Sequence, residues 1–198
     1  MRIFLAGATG VIGVRLVPLL VTAGHEVAGL TRTAAKAEAL TAQGAVPVVA
    51  DVYDADALTR AVVGFAPELV LHELTDLPDA VAELAASRAA NARIRVEGTR
   101  NLLAAARAAG ATRFVAQSVA WELPPGEGAD AVAELERTVL AFGGTVLRYG
   151  QFYGPGTFHP DALPTHPRIH IDEAARRTLA ALDTPSGILT VTDPEPEA

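Results

Sequence analysis

Gly7-Ala8-Thr9-Gly10-Val11-Ile12-Gly13 is the stretch that decides the fold. It directly follows an apolar run, Arg2–Ala6, and opens a stretch of helical periodicity, Val11–Ala23, as a strand–turn–helix unit requires. Three glycines at such a junction leave the N–H groups of a helix N-terminus open to a diphosphate, because no Cβ blocks the approach. The spacing is Gly-x-x-Gly-x-x-Gly rather than the general Gly-x-Gly-x-x-Gly fingerprint. A tight turn without ligand is the competing explanation, and the strand before and helix after it favour dinucleotide binding. Candidate contacts are Gly7, Thr9, Gly10, Val11, Ile12 and Gly13.

Outward from this turn, short Val/Ile/Leu-rich runs alternate with helical stretches. Strands are expected at Arg2–Ala6, Glu26–Leu30, Ala45–Val49, Leu69–His72, Arg113–Gln117, Thr145–Arg148 and Ile188–Thr192. Helices are expected at Val11–Ala23, Ala34–Gln43, Ala55–Val63, Ala80–Ala109, Ala129–Phe142 and Asp172–Leu182. Several strands lack polar alternation, which fits a parallel sheet covered on both faces. The expected fold class is α/β, a Rossmann-like doubly wound parallel sheet of seven strands in a single domain, residues 1–198. Residues 154–170, rich in proline and without periodicity, read as a short substrate-side loop.

Composition narrows the function. The chain has 198 residues, half of them hydrophobic, and a net charge of −7. A single lysine, Lys36, and this acidic balance argue against a nucleic-acid partner. No apolar run is long enough to cross a bilayer, so neither membrane insertion nor a secretory signal is expected, and a cytoplasmic location follows as the default. The absence of cysteine excludes a thiolate nucleophile and any Cys-ligated metal. His159, His166 and His170 lack a helix to aim them together, so no metal site is expected.

Further motifs stand in order along the chain: Asp51-Val52 after the third strand, Val70-Leu71-His72 ending the fourth, and Gly98-Thr99-Arg100-Asn101-Leu102-Leu103 in the long helix. Arg113-Phe114-Val115-Ala116-Gln117-Ser118 follows, then Leu147-Arg148-Tyr149-Gly150-Gln151-Phe152-Tyr153-Gly154-Pro155-Gly156, then Ile169-His170-Ile171-Asp172-Glu173-Ala174-Ala175. Taken with the glycine turn, this series resembles the extended and atypical short-chain dehydrogenase/reductases, the NAD(P)-dependent epimerase/dehydratase-like group, over nearly the whole chain. The resemblance implies that Asp51 and Val52 lie along the adenine and that His72 lies near the nicotinamide. It also implies a substrate-capping region, which this chain has only in much reduced form. Cofactor choice is argued from charge. An acidic residue after the second strand would bind a ribose 2′-hydroxyl, whereas this chain has Arg32, with Lys36 one turn on. NADP(H) is therefore favoured over NAD(H).

The family's reductases use a Tyr-x-x-x-Lys pair on the helix before the sixth strand. Aligning Glu136 on the glutamate that often follows the lysine places Gly128 and Val132 at those positions. Neither transfers a proton, and a hydride delivered to a carbonyl needs an acid for the developing alkoxide. Arg95 likewise stands where the family pattern has asparagine, with Asn91 one turn earlier. The residues left for chemistry are Ser118, in a register ambiguous by one with Gln117, as a donor to substrate oxygen, and Tyr153 or the His72–Glu73 pair for the proton. A strand-end cap for Ser118, backbone contacts for His72 and Glu73, and a pocket wall for Tyr153 are the structural alternatives.

The leading expectation is an atypical enzyme that binds NADP(H) and acts on a small organic, natural-product-like molecule by reduction, oxidation or a non-redox step. The alternatives are an NADP(H)-binding sensor without catalysis and a cofactor-independent cyclase, dehydratase or isomerase on the same fold. A homodimer through the alanine-rich helices is the assembly they suit.

Overall fold

The computed structural model describes residues 1–78 and 81–195. In chain order the strands are β1 (Arg2–Ala6), β2 (Glu26–Thr31), β3 (Val46–Val49), β4 (Leu69–His72), β5 (Arg113–Val119), β6 (Thr145–Tyr149), β7 (Gln151–Tyr153), β8 (Arg168–His170) and β9 (Gly187–Val191). The helices are α1 (Gly13–Thr22), α2 (Ala37–Ala42), α3 (Ala55–Phe65), α4 (Arg88–Arg93), α5 (Thr99–Ala109), α6 (Glu127–Phe142) and α7 (Ile171–Ala181). Seven strands form one parallel sheet in the order β3-β2-β1-β4-β5-β6-β9, the doubly wound arrangement expected. The chain runs outward from β1 to β3, then crosses to β4 on the other side of β1. That reversal opens a crevice beyond the carboxyl ends of β1 and β4, where such sheets take their ligands.

Strand alternation sorts the core into two layers. Ile3 and Leu5 of β1 face α1 and α7, joining Leu16, Leu20, Ile171 and Ala175. Phe4 and Ala6 face the other way, joining Leu58 and Val62 of α3, Leu102 and Ala106 of α5, and Leu135 and Val139 of α6. Burial on both faces explains why the strands lack polar alternation. Each fully buried leucine contributes about 2 kcal/mol of transfer free energy.

The largest departure from the expected elements lies between residues 80 and 109. Ala80 lies outside the described residues, and the remainder is not one helix. It is a 3₁₀ turn (Val81–Glu83), then α4, then a π turn (Ile94–Gly98), then α5. Alanine packs on any helix face, so its periodicity cannot reveal a change of pitch. In a straight α-helix, Thr99 would be rotated about 80° from Asn91 over two turns. The wider π turn takes up that excess and lets both residues address the end of β4 and the segment that follows: Asn91 Oδ1 accepts from the Asp76 N–H at 3.1 Å, and Thr99 Oγ1 lies 2.9 Å from His72 Nε2.

The helix expected from Ala34 likewise opens with a 3₁₀ turn (Ala34–Lys36) before α2. β7 and β8, three residues each, pair in parallel as a separate small sheet that the sequence reading omits. They bracket most of the 154–170 segment and hold its two ends together.

Candidate active site

The glycine turn is built by contact as much as by conformation. Gly7 has φ +96°, and a Cβ there would lie 2.6 Å from the Glu73 carbonyl carbon and oxygen. A Cβ on Gly13 would stand 2.1 Å from the Gly7 carbonyl oxygen. These two glycines let the turn close against β4 and against itself. Gly10 differs: it is exposed, and its Cβ would meet only the Gly7 oxygen, at 3.4 Å. Freedom at Gly10 is thus unused by the protein's own packing, which leaves a Cβ-sized space at the mouth of α1 for a diphosphate. Thr9 and Val11 are half-buried beside it, whereas Ile12 is buried in the α1 layer and has only backbone to offer.

Arg15, missed in the sequence, ties this turn to the far loop. It donates to Asp172 Oδ1 at 2.6 Å, to the Val11 carbonyl at 2.7 Å and to the Pro155 carbonyl at 2.5 Å. Residues 155–156 therefore lie over the first turn of α1, and the 154–170 segment borders the cofactor cradle.

At the adenine end, Arg32 follows β2 and is largely exposed, with Nη2 3.6 Å from Asp76 Oδ1. Asp51 is exposed and caps its own loop by accepting from the Tyr53 N–H at 2.9 Å. Val52 is buried, and its carbonyl accepts from Asn101 Nδ2 at 2.9 Å. Arg32, Asp51 and Val52 thus stand along the β2 and β3 ends of the crevice.

His72 and Glu73 do not form the pair expected of them. His72 is fully buried, its Nδ1 accepts from the Leu74 N–H at 3.2 Å, and its Nε2 therefore carries the hydrogen toward Thr99 Oγ1. Burial, helped by the charge of Arg95, pushes its pKa down to about 3. As placed, His72 is a neutral structural ring with neither nitrogen free for acid–base work.

Glu73 turns instead to the α7 side. The Tyr149 hydroxyl lies 3.1 Å from Glu73 Oε1 and 2.6 Å from Thr178 Oγ1, while Glu73 Oε2 is buried without a partner. Burial pushes the Glu73 carboxyl up to about 8, with the Tyr149 hydrogen bond opposing, so it is protonated at neutral pH. Burial also drives the Tyr149 phenol well above its ordinary value.

Ser118 likewise differs from expectation. It is buried and donates to Glu136 Oε1 at 2.6 Å, so its proton is committed within the protein. The flanking residues Gln117 and Val119 point to the opposite face of β5. Glu136 also accepts Arg148 Nε at 2.9 Å on Oε1 and Arg148 Nη2 at 2.5 Å on Oε2. Burial pushes Glu136 up, but bonds from Arg148 and Ser118, with the charges of Arg148 and Arg95, bring it below the usual carboxylate range. This ionic cluster clamps α6 to β5 and β6. Its sequence signal was a glutamate on the apolar stripe of Ala131, Leu135 and Val139, and an arginine inside a strand.

Tyr153 is not brought to Ser118 or His72. It lies on β7, donates to Asp193 Oδ2 at 2.9 Å and packs edge-on against His170 at 5.2 Å. With His170, Gly154 and Leu163 it walls a depression of about 290 Å³. A second, of about 510 Å³, opens between Ala120, His166, Arg177 and Asp193. His166 Nε2 lies 3.1 Å from the Asp193 carbonyl, and His170 Nδ1 accepts from the Asp172 N–H. Among the described residues no helix is long and apolar enough to cross a membrane.

Comparison with known proteins places this geometry. Residues 7–132 match a family model described as NAD(P)H-binding. The chain is 39% identical, over a 245-position alignment covering 99% of it and 77% of the relative, to a 3-diazoavenalumate denitrifying reductase from a Streptomyces species. That alignment is longer than this chain, so the relative carries insertions that this protein lacks. Among solved structures, a UDP-glucose 4-epimerase from Thermus thermophilus in complex with NAD superposes with a TM-score of 0.79 at 22% identity, covering 97% of this chain and 78% of that one. WbmH from Bordetella bronchiseptica, in complex with NAD⁺, gives 0.74 at 16%, covering 96% and 75%. These likenesses at low identity show the fold, and the family match, with a relative aligned over 99% of this chain, shows the rest. The chain belongs to the NAD(P)H-binding family and is an NAD(P)-dependent oxidoreductase or epimerase of short-chain dehydrogenase/reductase fold.

Proposed function

We propose that the protein is an NADP(H)-dependent reductase whose acceptor needs no proton from a tyrosine–lysine pair, an aryl diazonium compound being the class of small molecule that fits best. The observation that carries this reading is an intact glycine cradle beside an α6 with neither tyrosine nor lysine. When bound, the reduced nicotinamide supplies a hydride. A carbonyl acceptor would leave an oxyanion for the protein to protonate. A diazonium group takes hydride at its terminal nitrogen, the C–N bond then breaks, dinitrogen leaves, and that hydrogen ends on carbon. No oxyanion arises, so losing the acid costs nothing. The denitrifying reductase named among the relatives supports this class.

Within this reading Gly7, Thr9, Gly10, Val11, Ile12 and Gly13 hold the diphosphate, mainly through backbone, and Arg32 takes the 2′-phosphate in place of Asp76. Asp51 and Val52 line the adenine, and the His72 backbone borders the nicotinamide. Ser118 positions α6, and Tyr153 shapes the substrate side. Glu73, protonated and bonded to Tyr149 on the α7 side, backs the glycine turn and moves no proton in this reading. Two copies pair through the outer faces of α5 and α6, in a cytoplasmic protein.

The test uses benzenediazonium and NADPH, measuring NADPH loss and dinitrogen release together, corrected for the uncatalysed reaction. Stoichiometric release accelerated by the wild type and abolished by Gly10→Asp is expected. A rate equal to the uncatalysed one, with NADPH demonstrably bound, contradicts the reading.

A further inference from the structure

Arg95 is the second residue of the π turn (Ile94–Gly98) that interrupts the helical segment after β4. The residue one turn before it, Asn91, and the residue one turn after it, Thr99, both bond to the segment 72–76. Arg95 lies between them along the helical segment, which puts it on the side that Asn91 and Thr99 present to the end of β4. Its charge acts on His72 from one side and on Glu136 from the other. Yet among the described residues its guanidinium makes no hydrogen bond or ion pair, and burial lowers its pKa, with Glu136 only partly offsetting that.

Glu136 cannot neutralise it. One of its oxygens takes Ser118 Oγ and Arg148 Nε, and the other takes Arg148 Nη2. The cluster thus contains two guanidinium groups and one carboxylate, with His72 and Glu73 both neutral at pH 7. A largely buried cation left without a partner opposes folding, because desolvation is not repaid. A guanidinium also presents a planar fork of donors that matches a carboxylate in a way a hydroxyl or amide does not. Such a group in a ligand crevice is stabilised when an anion arrives.

We infer that Arg95 anchors a carboxylate of the substrate, so that the enzyme selects organic anions. The inference rests on the reductase reading of this crevice and adds the charge of the molecule reduced. Arg95 then positions the substrate from the position where the family pattern has asparagine, and the π turn is what aims it. Anion binding completes the ionic cluster that the protein alone leaves one negative charge short.

The experiment titrates NADP⁺-saturated protein by calorimetry with acetate, benzoate and cinnamate, each against its neutral amide. NADP⁺ binding and Tm are measured on the same samples for the wild type, Arg95→Lys and Arg95→Met. Expected for the wild type is at least one acid bound about tenfold more tightly than its amide, equal to about 1.4 kcal/mol. Arg95→Lys keeps part of that preference and Arg95→Met abolishes it, with NADP⁺ affinity unchanged and Tm unchanged or raised, since an uncompensated charge has gone. No acid preferred over its amide, or a preference that survives in Arg95→Met, overturns the inference. A lowered Tm with no change in preference also overturns it, by making Arg95 structural. Failure of NADP⁺ to bind the wild type strikes the reductase reading instead.

Discussion

The two ends of the crevice are built on opposite principles. At β1, the cofactor end, backbone does the work: Gly7 and Gly13 are glycine because their neighbours leave no room, and Gly10 is glycine although its neighbours leave room. At β5 and β6, the end proposed for the substrate, side chains do the work, through a buried carboxylate shared by Ser118 and Arg148 with Arg95 beside it. Backbone geometry tolerates almost no substitution and so stays recognisable. A charge cluster can be rebuilt from different residues, which is how the second half of the site can depart from its family while the first half keeps its form.

Substitutions at the glycines probe the first half most severely. Gly13→Ala is expected to destabilise by about 4 kcal/mol or more, since backbone must move to admit the Cβ, and to lose NADPH binding with it. Gly10→Ala separates the two effects. Thermal melting is expected to fall by only a few degrees, from about 1 kcal/mol, while NADPH affinity, read by fluorescence titration, drops about tenfold or more. Equal losses of stability and affinity at Gly10 would erase the distinction drawn between the glycines.

In the second half, Glu136→Ala strands Arg148 beside Arg95 and is expected to cost about 2–3 kcal/mol in urea unfolding, discounted for the partial exposure of Arg148. Ser118→Ala removes only one hydrogen bond to the same carboxylate and is expected to cost about 1–2 kcal/mol. Ser118→Ala more damaging than Glu136→Ala would mean that the serine, not the carboxylate, organises this end.

Between the halves, Glu73 and His72 give opposite pH signatures. Glu73 holds its proton more tightly folded, to about 8, than unfolded, near 4.5, so its stabilisation is complete below pH 4.5 and is lost as pH rises to 8. His72, at about 3 folded against 6.5 unfolded, stabilises above pH 6.5 and loses that as pH falls toward 3. Stability should therefore decline from pH 6.5 to 8 by up to about 1.4 kcal/mol per pH unit, and Glu73→Leu should flatten that decline. An unchanged slope in Glu73→Leu would show that Glu73 does not titrate there.

How much of this was legible in the sequence follows the same division. The seven-stranded sheet and the glycine turn could be read because apolar runs and glycines constrain backbone directly. The π turn could not, because alanine is silent about helix phase, and β7 and β8 could not, because three residues in a proline-rich stretch carry no period. Ser118, Tyr153, His72 and Glu73 were legible as chemical groups near strand ends. Their partners were not: which way Ser118 and Glu73 turn depends on Glu136 and Tyr149, 18 and 76 residues away along the chain. Glu136 and Arg148 did leave a trace, as charges at apolar positions.

The smallest of these effects concerns Arg32, where an exposed arginine meets Asp76 at 3.6 Å. Arg32→Ala should reduce a preference for NADPH over NADH of about tenfold to near parity without altering Tm, as the loss of one charge-assisted contact to phosphate predicts.

Calorimetric titration of the wild type with NADPH and NADH tests the central claim most directly. Saturable binding of NADPH, weakened about tenfold for NADH and eliminated by Gly10→Asp, is the result the cradle predicts. No heat with either coenzyme at millimolar concentration would contradict it.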